Sequence, residues 1–160
     1  MIVVIEGPTA SGKSTLAMSL AQSLGSCIIS ADSRQIYKGM DIGTAKPSPE
    51  DQAKVRHYLI DIIEPNQSFS AGNFVKRASA IIAEEEQTNT PIICGGTGLF
   101  IKSLLEGICE LPPISKSIKA SLRDYLNEVK DDAESYKQRL DQLYAELSEF
   151  DPVFAAKVSP

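Results

Sequence analysis

Gly7-Pro8-Thr9-Ala10-Ser11-Gly12-Lys13-Ser14 stands between an apolar run, Ile2-Val3-Val4-Ile5, and a helical pattern that opens at Lys13. The stretch satisfies G-x-x-x-x-G-K-[ST] in full, with a strand before it and a helix after it. Glycines let backbone N–H groups turn inward around an anion, and a helix N-terminus adds its partial positive charge. Lys13 supplies a full charge to phosphate oxygens, and Ser14 offers a hydroxyl to Mg²⁺. The loop alone leaves open whether the ligand is a nucleoside triphosphate or another pyrophosphate. It also leaves open whether a phosphoryl group is transferred or departs.

Outward from this loop, short apolar runs alternate with helical patterns, which is the mark of a parallel sheet with crossover helices. Ile2–Glu6 reads as the first strand. The helix from Lys13 places Leu16, Leu20 and Leu24 on one face and stops at Gly25. Cys27–Ser30, Tyr58–Ile63 and Pro91–Cys94 read as further strands. Residues 33–54 carry glycines, prolines and charges and predict a long loop with short helical pieces, a feature that is usually functional. Ser70 caps a helix carrying Phe74, Ala78, Ile81 and Ile82, and Gly95-Gly96-Thr97-Gly98 turns the last strand into a helix from Leu99 to about Glu106.

Pro112-Pro113 marks a boundary. Beyond it, Ile118, Leu122, Tyr125, Leu126 and Val129 form one amphipathic face, and Tyr136, Leu140, Leu143, Tyr144 and Leu147 form another. Asp151-Pro152 starts a third helix by cap and first-turn proline. The predicted fold is therefore α/β, a P-loop NTPase-like parallel sheet flanked by helices (residues 1–113), followed by a helical segment (114–160).

Composition agrees with a folded domain: 160 residues, 42% apolar, 23% charged, net charge −5. The acidic balance argues against a protein that coats nucleic acid with basic surface, while leaving room for a local basic cleft. No apolar run approaches the roughly 20 residues of a membrane-spanning helix, and no membrane partner is expected. The three cysteines, Cys27, Cys94 and Cys109, make no C-x-x-C pair and read as free thiols in a reducing compartment. With His57 as the single histidine, a zinc site is not expected.

Four further features bear on chemistry. Asp32, where the second strand ends, faces the edge on which parallel sheets bind ligands. It can accept a proton from a nucleophile, hold a metal-bound water, or cap a turn. Asp41-Ile42-Gly43-Thr44-Ala45-Lys46-Pro47 suits an anion or a backbone phosphate, or a solvated loop. Gly95-Gly96-Thr97-Gly98 permits close approach of a substrate, or is a tight strand-to-helix turn. His57 reads as a structural hydrogen-bonder, and Phe69 and Phe74 as core.

Taken in order, these segments resemble the tRNA dimethylallyltransferases, also called tRNA isopentenyltransferases. The resemblance rests on Gly7–Ser14, on the block from Asp32-Ser33-Arg34-Gln35 to Ala45-Lys46-Pro47, on His57-Tyr58-Leu59-Ile60-Asp61, on Ser70-Ala71 with Phe74, and on Gly95-Gly96-Thr97-Gly98-Leu99-Phe100. Leu105-Glu106-Gly107 and Leu111-Pro112 also fit, and beyond Pro113 the likeness thins. Phe69 and Phe100 stand where the family usually has tyrosine.

The resemblance implies transfer of a dimethylallyl group from dimethylallyl diphosphate to N6 of adenosine 37, beside the tRNA anticodon, with Mg²⁺ as cofactor. It implies that Gly7, Pro8, Thr9, Ala10, Ser11, Gly12, Lys13 and Ser14 hold the diphosphate, with Ser14 as metal ligand. Asp32, Thr9 and Lys13 would be catalytic, Asp32 accepting the N6 proton. Asp32, Ser33, Arg34, Gln35, Thr97 and Lys119 would touch the tRNA anticodon loop. It further implies a cytoplasmic monomer. Family members continue past the position of Pro160, so the chain is expected to be cut short within a helical tRNA-binding insertion. The competing readings are a P-loop small-molecule kinase that binds ATP, an adenylate isopentenyltransferase acting on a free nucleotide, and a truncated nucleotide-binding module without turnover.

Overall fold

The computed structural model describes residues 1–108 and 114–158. The chain divides into two compact units, Met1–Cys109 and Glu110–Pro160. Pro112 and Pro113, the predicted boundary, and Cys109 lie outside the described residues.

The first unit is built on four parallel strands in the order β1-β4-β2-β3: β1 (Val3–Glu6), β2 (Ile28–Ser30), β3 (His57–Tyr58) and β4 (Ile92–Gly95). Four helices are described in this unit, α1 (Lys13–Leu24), α2 (Pro49–Lys54), α3 (Ala71–Glu85) and α4 (Gly98–Glu106), while α5 (Lys116–Asn127) belongs to the second. Side chains alternate across the sheet, as the pleat requires. Ile28, Ile92 and Cys94 pack with Ala17 and Ala21 of α1 on one face. Ile29, Ala31 and Ile93 pack with Phe74 and Ala78 of α3 and Phe100 and Ile101 of α4 on the other. Both faces are covered, which is why β2 and β4 read as unbroken apolar runs. The Phe74 and Phe100 rings stack at 4.7 Å between centroids, and Phe69 meets Phe100 edge-on at 6.0 Å, so the three phenylalanines are core.

Two expectations from the sequence are corrected. The leucine face of α1 is not its buried face: Leu16 and Leu24 are 58% and 48% exposed, while Ala17 and Ala21 are buried. The alanine methyls at i and i+4 let the helix lie close over Ile28, Ile92 and Cys94, and only Leu20 of the three leucines joins that packing. The predicted strand Tyr58–Ile63 also stops early. Leu59 and Asp61 take left-handed backbone conformations (φ 62 and 55), which no strand tolerates. The chain turns there, and residues 61–63 pair instead with the long loop, through Asp61 N–H to Gln35 O, Ile62 N–H to Ile36 O and Lys38 N–H to Ile63 O.

The second unit contains α5, α6 (Ala133–Phe150) and α7 (Pro152–Ala155). Ser115, Asp132 and Asp151 cap the three helices by accepting N–H groups of Ile118, Glu134 and Phe154. Arg139 of α6 stacks over the Tyr125 ring at 4.2 Å, donates to the Tyr125 carbonyl and reaches Glu128 Oε2 at 3.0 Å. Ala155 of α7 is buried, and Tyr144 donates to its carbonyl. Among the described residues no helix is long and apolar enough to cross a membrane.

Candidate functional site

The C-terminal ends of β2 and β4 and the loop after β1 open on one cleft of about 1030 Å³. Its walls come from Thr9–Ser14, Asp32–Gln35, residues 43–48 and Gly95–Thr97. Parallel sheets present ligand sites at this edge because every crossover leaves its loops there.

The glycine loop enters α1 without a side-chain cap. Gly12, at the cap position, has φ 83, a left-handed conformation that a side chain would strain. No acidic residue lies in the first turn of α1. Among the described residues no side chain caps the first N–H groups of the helix, and its positive end, roughly half an elementary charge, has no acid in its own first turn and borders the cleft. Lys13 donates to the Pro8 carbonyl and makes no ion pair among the described residues. Its charge is free for an anion. Ser14 lines the cleft and its hydroxyl makes no hydrogen bond among the described residues. Gly7 and Pro8 lie on the rising limb of the loop and stay outside the cleft lining.

Asp32 lines the same cleft as this loop. Its Oδ1 accepts the backbone N–H of Arg34 at 2.8 Å and of Gln35 at 3.4 Å, closing a turn that fixes the carboxyl. Turn cap and cleft residue are thus one and the same aspartate. Between the two walls, Cys94 is buried. Its thiol pKa is raised, chiefly by burial, with Lys13 lowering it and Asp32 raising it.

Gly95 carries the cleft floor past β2. A Cβ there would sit 2.1 Å from the Ala31 carbonyl oxygen, so the glycine is required by close backbone approach. The glycine turn is thus structural at Gly95. Thr97, by contrast, uses its Oγ1 to accept the Ser33 N–H at 2.9 Å, and its own N–H donates to Ala31 O. Ser33 and Arg34 are exposed on the rim. Gln35 also lines the cleft, but its carboxamide is engaged inside the protein: Oε1 accepts from Ser30 Oγ, and Nε2 donates to the Thr44 and Ala45 carbonyls. Lys119 lies exposed on α5 of the second unit.

In the Asp41–Pro47 block, which the sequence leaves open between an anion site and a solvated loop, the lysine is paired within the protein. The Lys46 side chain is only 5% exposed, and its ammonium meets Asp41 Oδ1 at 2.6 Å, Asp61 Oδ1 at 2.7 Å and the Tyr37 carbonyl at 3.0 Å. Burial works to lower its pKa, yet the two carboxylates outweigh burial and hold it above the ordinary lysine value. Asp41 and Tyr37 belong to the same loop, whereas Asp61 comes from the turn after β3, a pairing that no spacing in the sequence announces. His57 bonds through Nδ1 to the Val55 carbonyl at 2.8 Å, and its ring lines the cleft. Burial pushes its pKa below the usual histidine value. Among the described residues no cluster of His, Cys, Asp and Glu could hold a metal by itself.

A parallel sheet whose first strand feeds an uncapped, lysine-bearing helix defines an α/β protein of the P-loop type. Residues 35–160 match the family described as IPP transferase, and the chain belongs to that family. A curated relative from Geobacter sulfurreducens, a tRNA dimethylallyltransferase, is 43% identical over 99% of this chain and 49% of its own. The crystal structure of the full-length tRNA isopentenylpyrophosphate transferase of Bacillus halodurans superposes with a TM-score of 0.66 at 38% identity, over 99% of this chain and 50% of that one. A eukaryotic dimethylallyltransferase captured acting on tRNA shares the fold, with a TM-score of 0.76 at 22% identity over 99% of this chain and 38% of that one. The chain spans about half the length of the curated relatives it matches.

Proposed function

We propose that this chain binds dimethylallyl diphosphate at the Gly7–Ser14 loop and transfers the dimethylallyl group to N6 of adenosine 37 in tRNA. One observation carries the reading: the free positive end of α1 with Lys13, and the fixed carboxyl of Asp32, line a single cleft. In the reaction the allylic C–O bond breaks, pyrophosphate departs, and a C–N6 bond forms. The α1 N–H groups and Lys13 stabilise charge that builds on the leaving oxygen. The exocyclic amine is a weak nucleophile because its lone pair is delocalised into the ring. Asp32 accepts the N6 proton as the bond forms, offsetting that weakness. Its Oδ1 stays in the turn, which holds the carboxyl still during the step.

The Ser14 hydroxyl, unengaged and facing the cleft, fits Mg²⁺, which prefers a few protein oxygens plus phosphate and water. When bound, Mg²⁺ neutralises charge on the diphosphate. The target base leaves the anticodon-loop stack to reach Asp32, and Ser33, Arg34 and Thr97 on the rim receive the loop. The same reading places the reaction in the cytoplasm, with a monomer as the working form.

The test is incubation with labelled dimethylallyl diphosphate, Mg²⁺ and either unmodified tRNA or AMP, beside a parallel incubation with labelled ATP in place of the dimethylallyl diphosphate. Label in tRNA is expected. Label in AMP alone would make the chain an adenylate prenyltransferase, phosphate transfer from ATP a kinase, and no turnover a binding module.

A further inference from the structure

We infer that Lys46 is a positioning residue: it pins the loop that follows β2 against the turn that follows β3, and so fixes the Asp32 carboxyl toward the incoming base. The inference rests on the proposed function for what Asp32 does, and on geometry alone for what Lys46 does.

An ammonium group has three N–H donors. Those of Lys46 meet three acceptors, Asp41 Oδ1, Asp61 Oδ1 and Tyr37 O, at 2.6 to 3.0 Å. Two carboxylates beside one buried cation leave no net positive charge for a phosphate. The lysine therefore lines the cleft without being a ligand in it.

Its bonds lead toward Asp32 by a short route. Ala45, the preceding residue, is held with φ 50, and its carbonyl accepts from Gln35 Nε2 at 2.9 Å. Gln35 Oε1 accepts from Ser30 Oγ at the end of β2. The Gln35 carbonyl accepts from Asp61 N–H, so Asp61 grips both Lys46 and Gln35. The Gln35 N–H in turn donates to Asp32 Oδ1. Removing the Lys46 ammonium leaves Asp61 without its cation and cuts the side-chain tie between residue 46 and the left-handed turn at Leu59 and Asp61, while the backbone bonds of residues 36 and 38 to residues 62 and 63 remain. The glycine loop on α1 has no part in this network, so the two functions separate.

The experiment compares wild type, Lys46→Met, Lys46→Arg and Asp61→Asn in three measurements: inorganic pyrophosphate binding, steady-state prenyl transfer to tRNA, and amide hydrogen exchange. In Lys46→Met, kcat is expected to fall by about 10–100-fold, since a displacement near 1 Å at the reacting groups costs that much. The KM for tRNA rises as well, while pyrophosphate affinity stays within about twofold, a split that plain destabilisation would not give. Exchange rises across residues 33–46 and is unchanged in α1. Lys46→Arg, which can still meet both carboxylates, recovers part of kcat, and Asp61→Asn reproduces the exchange pattern even if Lys46→Met does not fold. Weakened pyrophosphate binding with unaltered exchange would make Lys46 a phosphate ligand and overturn the inference, as would wild-type kinetics in both Lys46→Met and Asp61→Asn. If wild type itself transfers no prenyl group, the functional reading fails, and the exchange pattern alone still decides the pin.

Discussion

The Thr97 hydroxyl accepts the backbone N–H of Ser33 at 2.9 Å, tying the loop after β4 to the loop after β2. The bond lies one residue from Asp32. Thr97→Val keeps the shape and removes the acceptor. Ser33 is exposed, so water can take over its N–H, and the stability cost is about 1 kcal/mol. The Asp32 turn loosens, and the KM for tRNA is expected to rise several-fold while pyrophosphate affinity holds. Thr97→Ser should restore wild-type kinetics. A Thr97→Ser variant as impaired as Thr97→Val would point to the methyl group instead.

Gly95→Ala tests the close approach of β4 to the end of β2. Its new Cβ would meet the Ala31 carbonyl oxygen at 2.1 Å, a backbone atom that no rotamer change can move aside. Overpacking of this kind costs about 3 kcal/mol. A marked drop in the urea midpoint is expected for Gly95→Ala. Gly72→Ala is the control, because there a Cβ meets only Ser70 Oγ at 3.7 Å. Equal midpoints in the two variants would contradict the packing described.

The buried thiol of Cys27 makes stability pH-dependent on the alkaline side. Burial, and then the Glu85 charge, push its pKa from 9.0 up to about 11. Above about pH 9 the unfolded chain loses this proton while the folded chain keeps it. The unfolded state then binds fewer protons, so stability falls as pH rises through the window from 9 to 11. Tyr58, pushed up to about 12 by burial and by its hydrogen bond to Glu85, adds a loss of the same sign beginning near its ordinary value of 10.0. Urea midpoints measured between pH 8 and pH 10.5 should decline, and Cys27→Ala should flatten the first part of the decline. An unchanged slope in Cys27→Ala would remove the thiol from the account.

How far the sequence reaches is visible at α1 and at Lys46. The glycine loop, the start of α1 at Lys13 and its stop at Gly25 are local events, each written in one residue's conformational freedom, and the structure has them where the motif predicts. The caps Ser70 and Asp151 are legible for the same reason: their partners lie three residues away. The buried face of α1 is not legible, because an alanine stripe and a leucine stripe both keep helical spacing and only the approaching sheet selects between them. The end of β3 is illegible too: aspartate visits the left-handed region more readily than most residues, but Leu59, where the turn begins, carries no such signature. For Lys46 the sequence leaves an anion site and a solvated loop both open, because the Asp61 that neutralises it is brought there only by the folded turn.

The paired variants Asp32→Asn and Lys13→Met separate proton acceptance from anion binding. Asparagine keeps an oxygen to accept the Arg34 and Gln35 N–H groups, so the turn that Asp32 closes survives and only the charge and basicity are lost. Prenyl transfer to tRNA should fall by roughly 10²–10⁴-fold, with pyrophosphate affinity nearly unchanged. Asp32→Ala would lose the turn as well, which is why it is the poorer probe. Lys13→Met removes a full charge that makes no ion pair among the described residues, a charge-assisted contact worth about 1.5–3 kcal/mol. Pyrophosphate should then bind about 10- to 150-fold more weakly by calorimetry, and transfer should fall with it. The informative result is the crossing of the two. A carboxyl that only binds would weaken the ligand in Asp32→Asn without a fall in kcat, and a lysine acting on the amine would leave pyrophosphate affinity intact in Lys13→Met. Either pattern would reverse the assignment of the two walls of the cleft.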